Sequence, residues 1–527
     1  MIRVFLYLYL IMRTNYIFSF STISIVFFFW GFIASTNGIF IPFCKNYFKL
    51  NQFQSQLVDF SFYGAYFFGS YTLYLFSFLI KKNFLDKWGY RKSIIYGLLL
   101  SAIGSFSMIF SLKLKSFNFI LFSLFIVALG FSLQQISANP FVIKLGDNEN
   151  ASGRLNFSGG LNSLGTTIGP IIISIVLFGS INYTNYDYIN FNKLMLMYLV
   201  IAILFTFSAV ILSYIKDIKS NSNFENSPKA LISLSIITFS ILLIYAIIFN
   251  HYRINVVYNN FLILILLLLS FIIVIFVLNI SYFLSRKNQN GWGAMKYPQL
   301  IFGMIAIFFY VGTEVSIQSN LGELLMKKNF GGFKESQISP FISMYWGSLM
   351  IGRWTAAINI FKLSNKFYNI FLCIVPLTAF LIIIFSNYIT NNQVDNLFPY
   401  VSYIIFLIIG LYFSKNNPKL SLIIFSLFAF ISVLMGLKFD GILSVYSFLS
   451  CGLFCSIMWP CIFTLSIKNI GDYASQGSSF LIMMILGGAI IPPIQGIIAD
   501  ILDIHISYFI NLISFAYIGF YALLIRN

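Results

Sequence analysis

Runs of about 20 mostly apolar residues, separated by short polar turns, recur along the whole chain. A helix of that length rises about 1.5 Å per residue and so crosses a hydrocarbon core of roughly 30 Å. The pattern predicts sixteen spans, at 20–43, 56–80, 93–111, 118–143, 156–180, 194–215, 229–250, 258–284, 298–326, 338–361, 367–387, 397–413, 420–437, 442–467, 476–499 and 506–525. The expected class is an all-α membrane protein. The apolar stretch at the start is broken by Arg3 and Arg13, is too short to span and has no small-residue cleavage site. Residues 1–19 are therefore expected to be a cytoplasmic segment and not a signal peptide.

Composition agrees: 59% of the 527 residues are hydrophobic and 9% are charged, far from the balance of a soluble domain. The net charge of +17 changes the picture only in its distribution. Basic residues are scattered among short turns, which argues against nucleic acid as a partner. With both termini cytoplasmic, most of the 32 Lys and Arg fall on the cytoplasmic side, led by Lys81, Lys82, Lys87, Arg91 and Lys92. That bias fits a multi-pass protein of the cytoplasmic (inner) membrane. The five cysteines lie in or beside spans, so neither a disulfide framework nor a metal site is expected, although Cys451 and Cys455 are one turn apart.

A diluted internal repeat divides the chain. Phe62-Tyr63-Gly64 followed by Gly69 is echoed by Tyr345-Trp346-Gly347 followed by Gly352, an offset of 283. Ala151-Ser152, Gly165 and Pro170 are echoed by Ala474-Ser475, Gly488 and Pro493, an offset of 323. The growth in offset has room for one helical hairpin, expected near 397–437, and a second fits at 229–284. The organisation expected is a first six-helix bundle at 20–215, a linker with an extra hairpin at 216–297, and a second bundle at 298–527 containing the inserted hairpin. Twelve core helices and about four extra ones make up the sixteen. Pro140, Pro170, Pro460, Pro492 and Pro493 lie within spans and predict bent helices.

The spans carry amides where charges are rare. Asn37, Gln134, Gln135, Asn139, Asn156, Asn162, Gln318, Asn320 and Gln495 lie at or near membrane depth. Amides both donate and accept, as sugar hydroxyls do, and aromatic rings cover the C–H face of a sugar. Trp30, Trp346 and Trp459 are the aromatic candidates. Glu314 lies mid-span, where a lone carboxylate must face a cavity, find a cation or stay protonated. It is a candidate for sugar binding and for ion coupling, with Asp59 as a second coupling candidate.

Longer runs carry a family resemblance. They are Phe29-Trp30-Gly31, Thr36-Asn37-Gly38-Ile39-Phe40-Ile41-Pro42, Gln134-Gln135-Ile136-Ser137-Ala138-Asn139-Pro140 and Arg154-Leu155-Asn156 leading to Asn162-Ser163-Leu164-Gly165-Thr166-Thr167. In the second half come Tyr310-Val311-Gly312-Thr313-Glu314-Val315-Ser316-Ile317-Gln318-Ser319-Asn320, Gly352-Arg353, Ser456-Ile457-Met458-Trp459-Pro460 and Gly487-Gly488-Ala489-Ile490-Ile491-Pro492-Pro493. The chain resembles the fucose/galactose/glucose symporter family of the major facilitator superfamily, in its glucose/galactose branch. The resemblance implies the major facilitator fold, alternating access between two pseudo-symmetric six-helix bundles, and a small sugar as cargo, with no cofactor. Where the fucose branch has a first-helix carboxylate and a fourth-helix Glu, this sequence has Gly38 and Gln135. Coupling by H+ or Na+ must then use another group. Asp86, Gly89, Arg91 and Arg353 resemble the superfamily's gating-loop residues.

A neutral hexose fits the absence of a cation recognisable at midplane, and a monomer is expected. Another small solute or a drug on the same architecture is the alternative within transport. A multispan glycosyltransferase is the alternative of another class, but it would need a large extramembrane loop for its chemistry, and the chain has none.

Overall fold

The computed structural model describes residues 18–35, 44, 47–49, 52–82, 84–146, 150–178, 191–215, 217, 226–254, 259–333, 335–389, 394–415 and 417–525. Asn37 and Gly38, and the side chains of Asp59 and Asp86, lie outside this description. Every expected span falls on a helix. In chain order these are α1 (Phe18–Ser35), α2 (Gln52–Leu79), α3 (Phe84–Lys113), α4 (Phe117–Lys144), α5 (Ala151–Phe178), α6 (Phe191–Ser213), α7 (Pro228–Ile254), α8 (Asn260–Lys287) and α9 (Pro298–Met326). There follow α10 (Glu335–Ala357), α11 (Asn365–Ile389), α12 (Val401–Ser414), α13 (Pro418–Lys438), α14 (Gly441–Cys455), α15 (Met458–Ile467), α16 (Ala474–Met483), α17 (Gly487–Ile501), α18 (Ile504–Ser507) and α19 (Phe509–Leu524). Among the described residues, 13 helical segments are long and apolar enough to cross a membrane, with α14–α15, α16–α17 and α18–α19 each forming one. The remaining helices α2, α5 and α10 have 28, 28 and 23 residues, enough to span as well.

The repeat in the sequence is a repeat in packing. In the first half α3 packs on α4 and α6, and α2 on α4. In the second, α13 packs on α14, α15 and α19, and α10 on α14. Gly69 faces Ser132 on α4, and its counterpart Gly352 faces Ser456 at the α14–α15 junction. The position of α3 is thus taken by α13, while α11 packs on α10 and α12 lies beside α11. The packing points to α11–α12 as the inserted pair, one helix earlier than the hairpin expected at 397–437. The offsets could not resolve this, because every peripheral helix shows the same apolar pattern.

Three of the prolines in the spans free a carbonyl that finds a partner on another element. Proline has no N–H for the carbonyl four residues earlier, and hydrocarbon has no water to replace it. Pro140 frees the carbonyl of Ile136, which accepts from Ser478 Oγ at 2.9 Å. Pro460 frees that of Ser456, which accepts from Arg353 Nε at 3.0 Å. Pro493 frees that of Ala489, which accepts from the Tyr245 hydroxyl at 2.8 Å. Each bond joins two different helices.

The halves meet along α5 and α10, and along α16 against α2 and α4. The contacts gather at one end: Gly160 beneath Trp354, Gly153 beside Ile360, Ser478 on Ile136, and Tyr74 edge-on to Phe480 with ring centres 4.9 Å apart. This is the end at which α1 begins and α2 finishes.

Two expectations follow. At the crossing of α9 and α17, a Cβ on Gly487 would lie 1.8 Å from the carbonyl oxygen of Phe308, whereas at Gly496 nothing lies within 4 Å. Gly487→Ala is expected to cost about 1–3 kcal/mol, more than the roughly 0.5–1 kcal/mol that alanine's helix preference returns. Gly496→Ala is expected to be neutral or slightly stabilising. Thermal unfolding in detergent compares the two, and equal melting points would contradict the close crossing. At the opposite end of the bundle, Lys327 pairs with Asp503, which caps α18, and holds its carboxyl below the usual 3.8. A depressed carboxyl stabilises the fold above its unfolded pKa and loses that contribution as pH falls through its folded value. Both side chains are more than a third exposed, so Lys327→Ala is expected to cost under about 1 kcal/mol at pH 7. The deficit should shrink as pH is lowered from 6 towards 3; a deficit independent of pH would rule the pair out as its cause.

Candidate functional site

Glu314 lies 16 residues into α9, on the side facing α10, and is nearly buried. Its Oε1 accepts from the Tyr310 hydroxyl at 2.9 Å and lies 3.6 Å from Arg353 Nη2. Tyr310 precedes Glu314 by four residues, one helical turn, so α9 itself aligns the two. Arg353 uses the rest of its fork on three other elements. Nε bonds the Ser456 carbonyl, Nη1 bonds Gly159 O at 3.2 Å and Ser163 Oγ at 2.8 Å, and Nη2 reaches the Tyr310 hydroxyl at 3.3 Å. Gly159 and Ser163 belong to α5 in the first half, so one guanidinium ties the two halves together. Tyr345 fixes the backbone beneath the acid, donating to Glu314 O at 2.9 Å. Trp459 stands with its ring centre 6.0 Å from that of Tyr310, and Trp346 neighbours Tyr345.

Arg353 lies in a helix and not in a turn. It is 8% exposed, inside α10, and is, with Arg154 on α5, a buried cation that the sequence did not reveal. Its place four residues before the end of α10 made it look like a turn residue, whereas Ile358–Phe361 continues the helix as a 3-10 turn. Gly89 and Arg91 lie near the start of α3, at a break in its helical geometry. Gly89 has φ of +77°, and a Cβ there would lie 2.2 Å from the Asp217 carboxylate. Asp217 accepts from the Arg91 amide at 3.0 Å, and Arg91 Nη1 bonds the carbonyls of Ser213 and Ile215 at the end of α6. This cluster joins α3 to α6 within the first half.

The predicted amides divide. Gln134 is fully buried, accepts from Trp30 Nε1 at 2.8 Å and donates to Ser101 at 3.0 Å, so it clamps α1, α3 and α4 together. Gln495 is also fully buried, held between Ser507 and Asn511, both at 3.3 Å. Both are enclosed by protein, with no surface exposed. Asn162 donates to Phe27 O on α1 at 3.0 Å, and Asn320 to Ser316 O at 2.9 Å. Asn139 and Asn156 turn their amide nitrogens onto Gln135 O and Ser152 O, both at 2.9 Å, which leaves their buried Oδ1 atoms without a partner. Gln135 bonds the Tyr66 hydroxyl at 3.2 Å and is half-buried, and Gln318 is half-buried one turn beyond Glu314. The structure therefore brings together Glu314, Arg353 and Trp459, and adds Tyr310, Tyr345 and Ser163, with Trp346 next to Tyr345 on α10. The spacing of Tyr310 to Glu314 was the signal available for the first of these additions.

A polytopic protein of two related helical bundles, tied through a buried acid–arginine pair, has the build of a secondary transporter. The sequence profile of the Major Facilitator Superfamily matches residues 23–418, and the chain belongs to that superfamily. It is 28% identical to a glucose/galactose transporter of Brucella abortus, over 97% of this chain and 95% of that one. It is 22% identical to an L-fucose-proton symporter of Haemophilus influenzae, over 97% of each. Its fold matches the crystal structure of the superfamily transporter FucP in the outward conformation, with a TM-score of 0.66, 20% identity, and 97% and 100% of the two chains covered.

The pair itself can be tested. Removing one partner of a buried ion pair leaves the other charge uncompensated, at a cost of about 3–5 kcal/mol. Arg353→Met is expected to lower stability by that order, and Glu314→Gln in the same chain to restore most of it. Thermal unfolding of the single and double variants measures the coupling, and a double variant no more stable than Arg353→Met would show that the two charges do not interact.

Proposed function

We propose that this protein is a cation-coupled symporter that imports a neutral hexose, glucose or galactose before fucose, by alternating access. The observation that carries the reading is the near full-length similarity to the glucose/galactose transporter of Brucella abortus. The site supports it. Glu314 neutralises Arg353, so the cation at this site offers no surplus charge to an anionic cargo. Tyr310, Trp346, Trp459 and Gln135 supply the aromatic faces and amide that a sugar needs.

The organisation proposed keeps the cytoplasmic segment 1–19, the first bundle 20–215, the linker with hairpin 216–297 and the second bundle 298–527, with the inserted pair at α11–α12. The protein sits in the cytoplasmic membrane as a monomer with both termini inside, so the sealed end of the bundle is cytoplasmic and the described state faces outward. Coupling rests on Glu314. Ionised, it holds Arg353; protonated, it gives up the ion pair while Arg353 keeps its bonds to Gly159 O and Ser163 Oγ. Proton binding from outside and release inside would then change what holds α9 to α10 once per cycle.

Uptake of labelled glucose, galactose, mannose and fucose into proteoliposomes, with pH and sodium gradients imposed separately, tests the cargo and the ion. Glu314→Gln imitates the protonated acid, and is expected to abolish pH-driven accumulation while leaving sugar counterflow largely intact. Loss of counterflow as well would make Glu314 a sugar ligand, and full accumulation would exclude it from coupling. Gln135→Ala is expected to weaken uptake by about 1–3 kcal/mol. No uptake of any of the four sugars would overturn the reading.

A further inference from the structure

The hairpin α7–α8 belongs to neither half by sequence, yet it touches both. Its two helices pack along a seam of Leu234, Ile237, Ile241 and Ile244 against Leu267, Val274 and Leu278, closed by the Ser281–Ser233 hydrogen bond at 2.9 Å. Towards the second half its contacts are extensive. Helix α8 lies along α9 and α17, with Phe271 against Phe308 and Phe309 and Tyr282 against Phe302, ring centres 4.7–5.9 Å apart. On α7, Tyr245 supplies the hydrogen bond that Pro493 denies to the Ala489 carbonyl. Lipid cannot replace that donor, so separating α7 from α17 would strand a carbonyl in hydrocarbon.

Towards the first half the contacts are fewer, and the side-chain contacts among the described residues include three from α2. Tyr71 bonds Ser235 at 2.8 Å, Phe60 stacks on Tyr245 at 4.7 Å, and Tyr74 bonds Ser227 Oγ, just before α7, at 2.7 Å. Ser227 Oγ also accepts from Gln476 of α16 at 3.0 Å, and Gln476 Oε1 in turn accepts from the Ala294 amide at 2.6 Å. This node lies at the sealed end, where Tyr74 meets Phe480. If α2 and α17 move apart when the other face seals, the hairpin cannot keep both sets of contacts.

We infer that α7–α8 is carried by the second half and acts as a latch, with Tyr71 and Tyr74 of α2 as the strike that holds this face closed. Opening the face breaks the α2 bonds and leaves the bonds to α9 and α17 intact. The inference concerns the conformational cycle and needs no particular cargo.

The test uses the full chain with its native cysteines replaced, and Gly153→Cys as reporter. Gly153 is buried in the α5–α10 seam beside Ile360, so its thiol reacts with maleimide only when this face opens. Tyr71→Phe with Tyr74→Phe removes the latch hydroxyls without removing the rings. It is expected to raise the reaction rate about fivefold or more, since each lost bond shifts the equilibrium roughly twofold to tenfold. Cross-linking Tyr71→Cys to Ser235→Cys is expected to suppress the reaction, and cross-linking Phe271→Cys to Phe309→Cys to leave it unchanged. An unchanged rate in the Phe variant, with melting behaviour like the parent, would overturn the latch. Suppression by the α8–α9 cross-link equal to that of the α2–α7 cross-link would overturn the claim that the hairpin rides with the second half. Neither readout involves sugar, so failure of the proposed cargo would leave this test standing.

Discussion

A carbonyl without a hydrogen bond in hydrocarbon is what the rest of this structure arranges itself around. Among the prolines within helices, Pro140, Pro460 and Pro493 free the carbonyls of Ile136, Ser456 and Ala489, and each of these three is filled from another helix. The partners are the places where the molecule does something other than span. Ser478 joins the halves, Arg353 builds the candidate site, and Tyr245 moors the extra hairpin. Bent helices thus serve as sockets. The cost of leaving one empty, several kcal/mol in a bilayer, is large beside the roughly 0.5–1.5 kcal/mol of an ordinary hydrogen bond.

Arg353 shows how one socket becomes a site. The Ser456 carbonyl fixes the guanidinium by its Nε, which leaves both terminal nitrogens free to face Tyr310, Glu314 and α5. The pair with Glu314 contributes little net stability, because taking two charges out of water offsets most of their attraction. Its value lies in geometry, for it places one carboxylate of α9 against the same guanidinium that reaches across to α5.

Much of the fold was legible because lipid imposes a blunt rule: about 20 apolar residues make a span, and all sixteen expected spans fall on helices. The repeat was legible where backbones approach closely, as Gly69 and Gly352 do, since there only small residues fit. The site was legible in part. Glu314 stood out because a lone acid in a span needs a reason, but Arg353 looked like one more basic residue near a span end. Trp30 was an aromatic candidate and Gln134 an amide candidate for a sugar, and the fold bonds them to each other. Residue type gives the number of hydrogen bonds a side chain can make, and only the fold says how many are already taken. The place of the inserted hairpin was less legible for a related reason, since α11, α12 and α13 are alike in sequence pattern and differ in what they touch.

The socket at Ile136 has a consequence for how the chain is made. Its donor, Ser478, lies 342 residues further along, whereas Arg353 and Tyr245 precede the carbonyls they fill. As helices leave the ribosome in order, α15 and α17 meet partners already in the membrane. Helix α4 must wait, holding a bare carbonyl through the synthesis of most of the protein, until α16 arrives. The first bundle is therefore an unfinished object by itself, and its last hydrogen bond forms only when the second bundle closes over it.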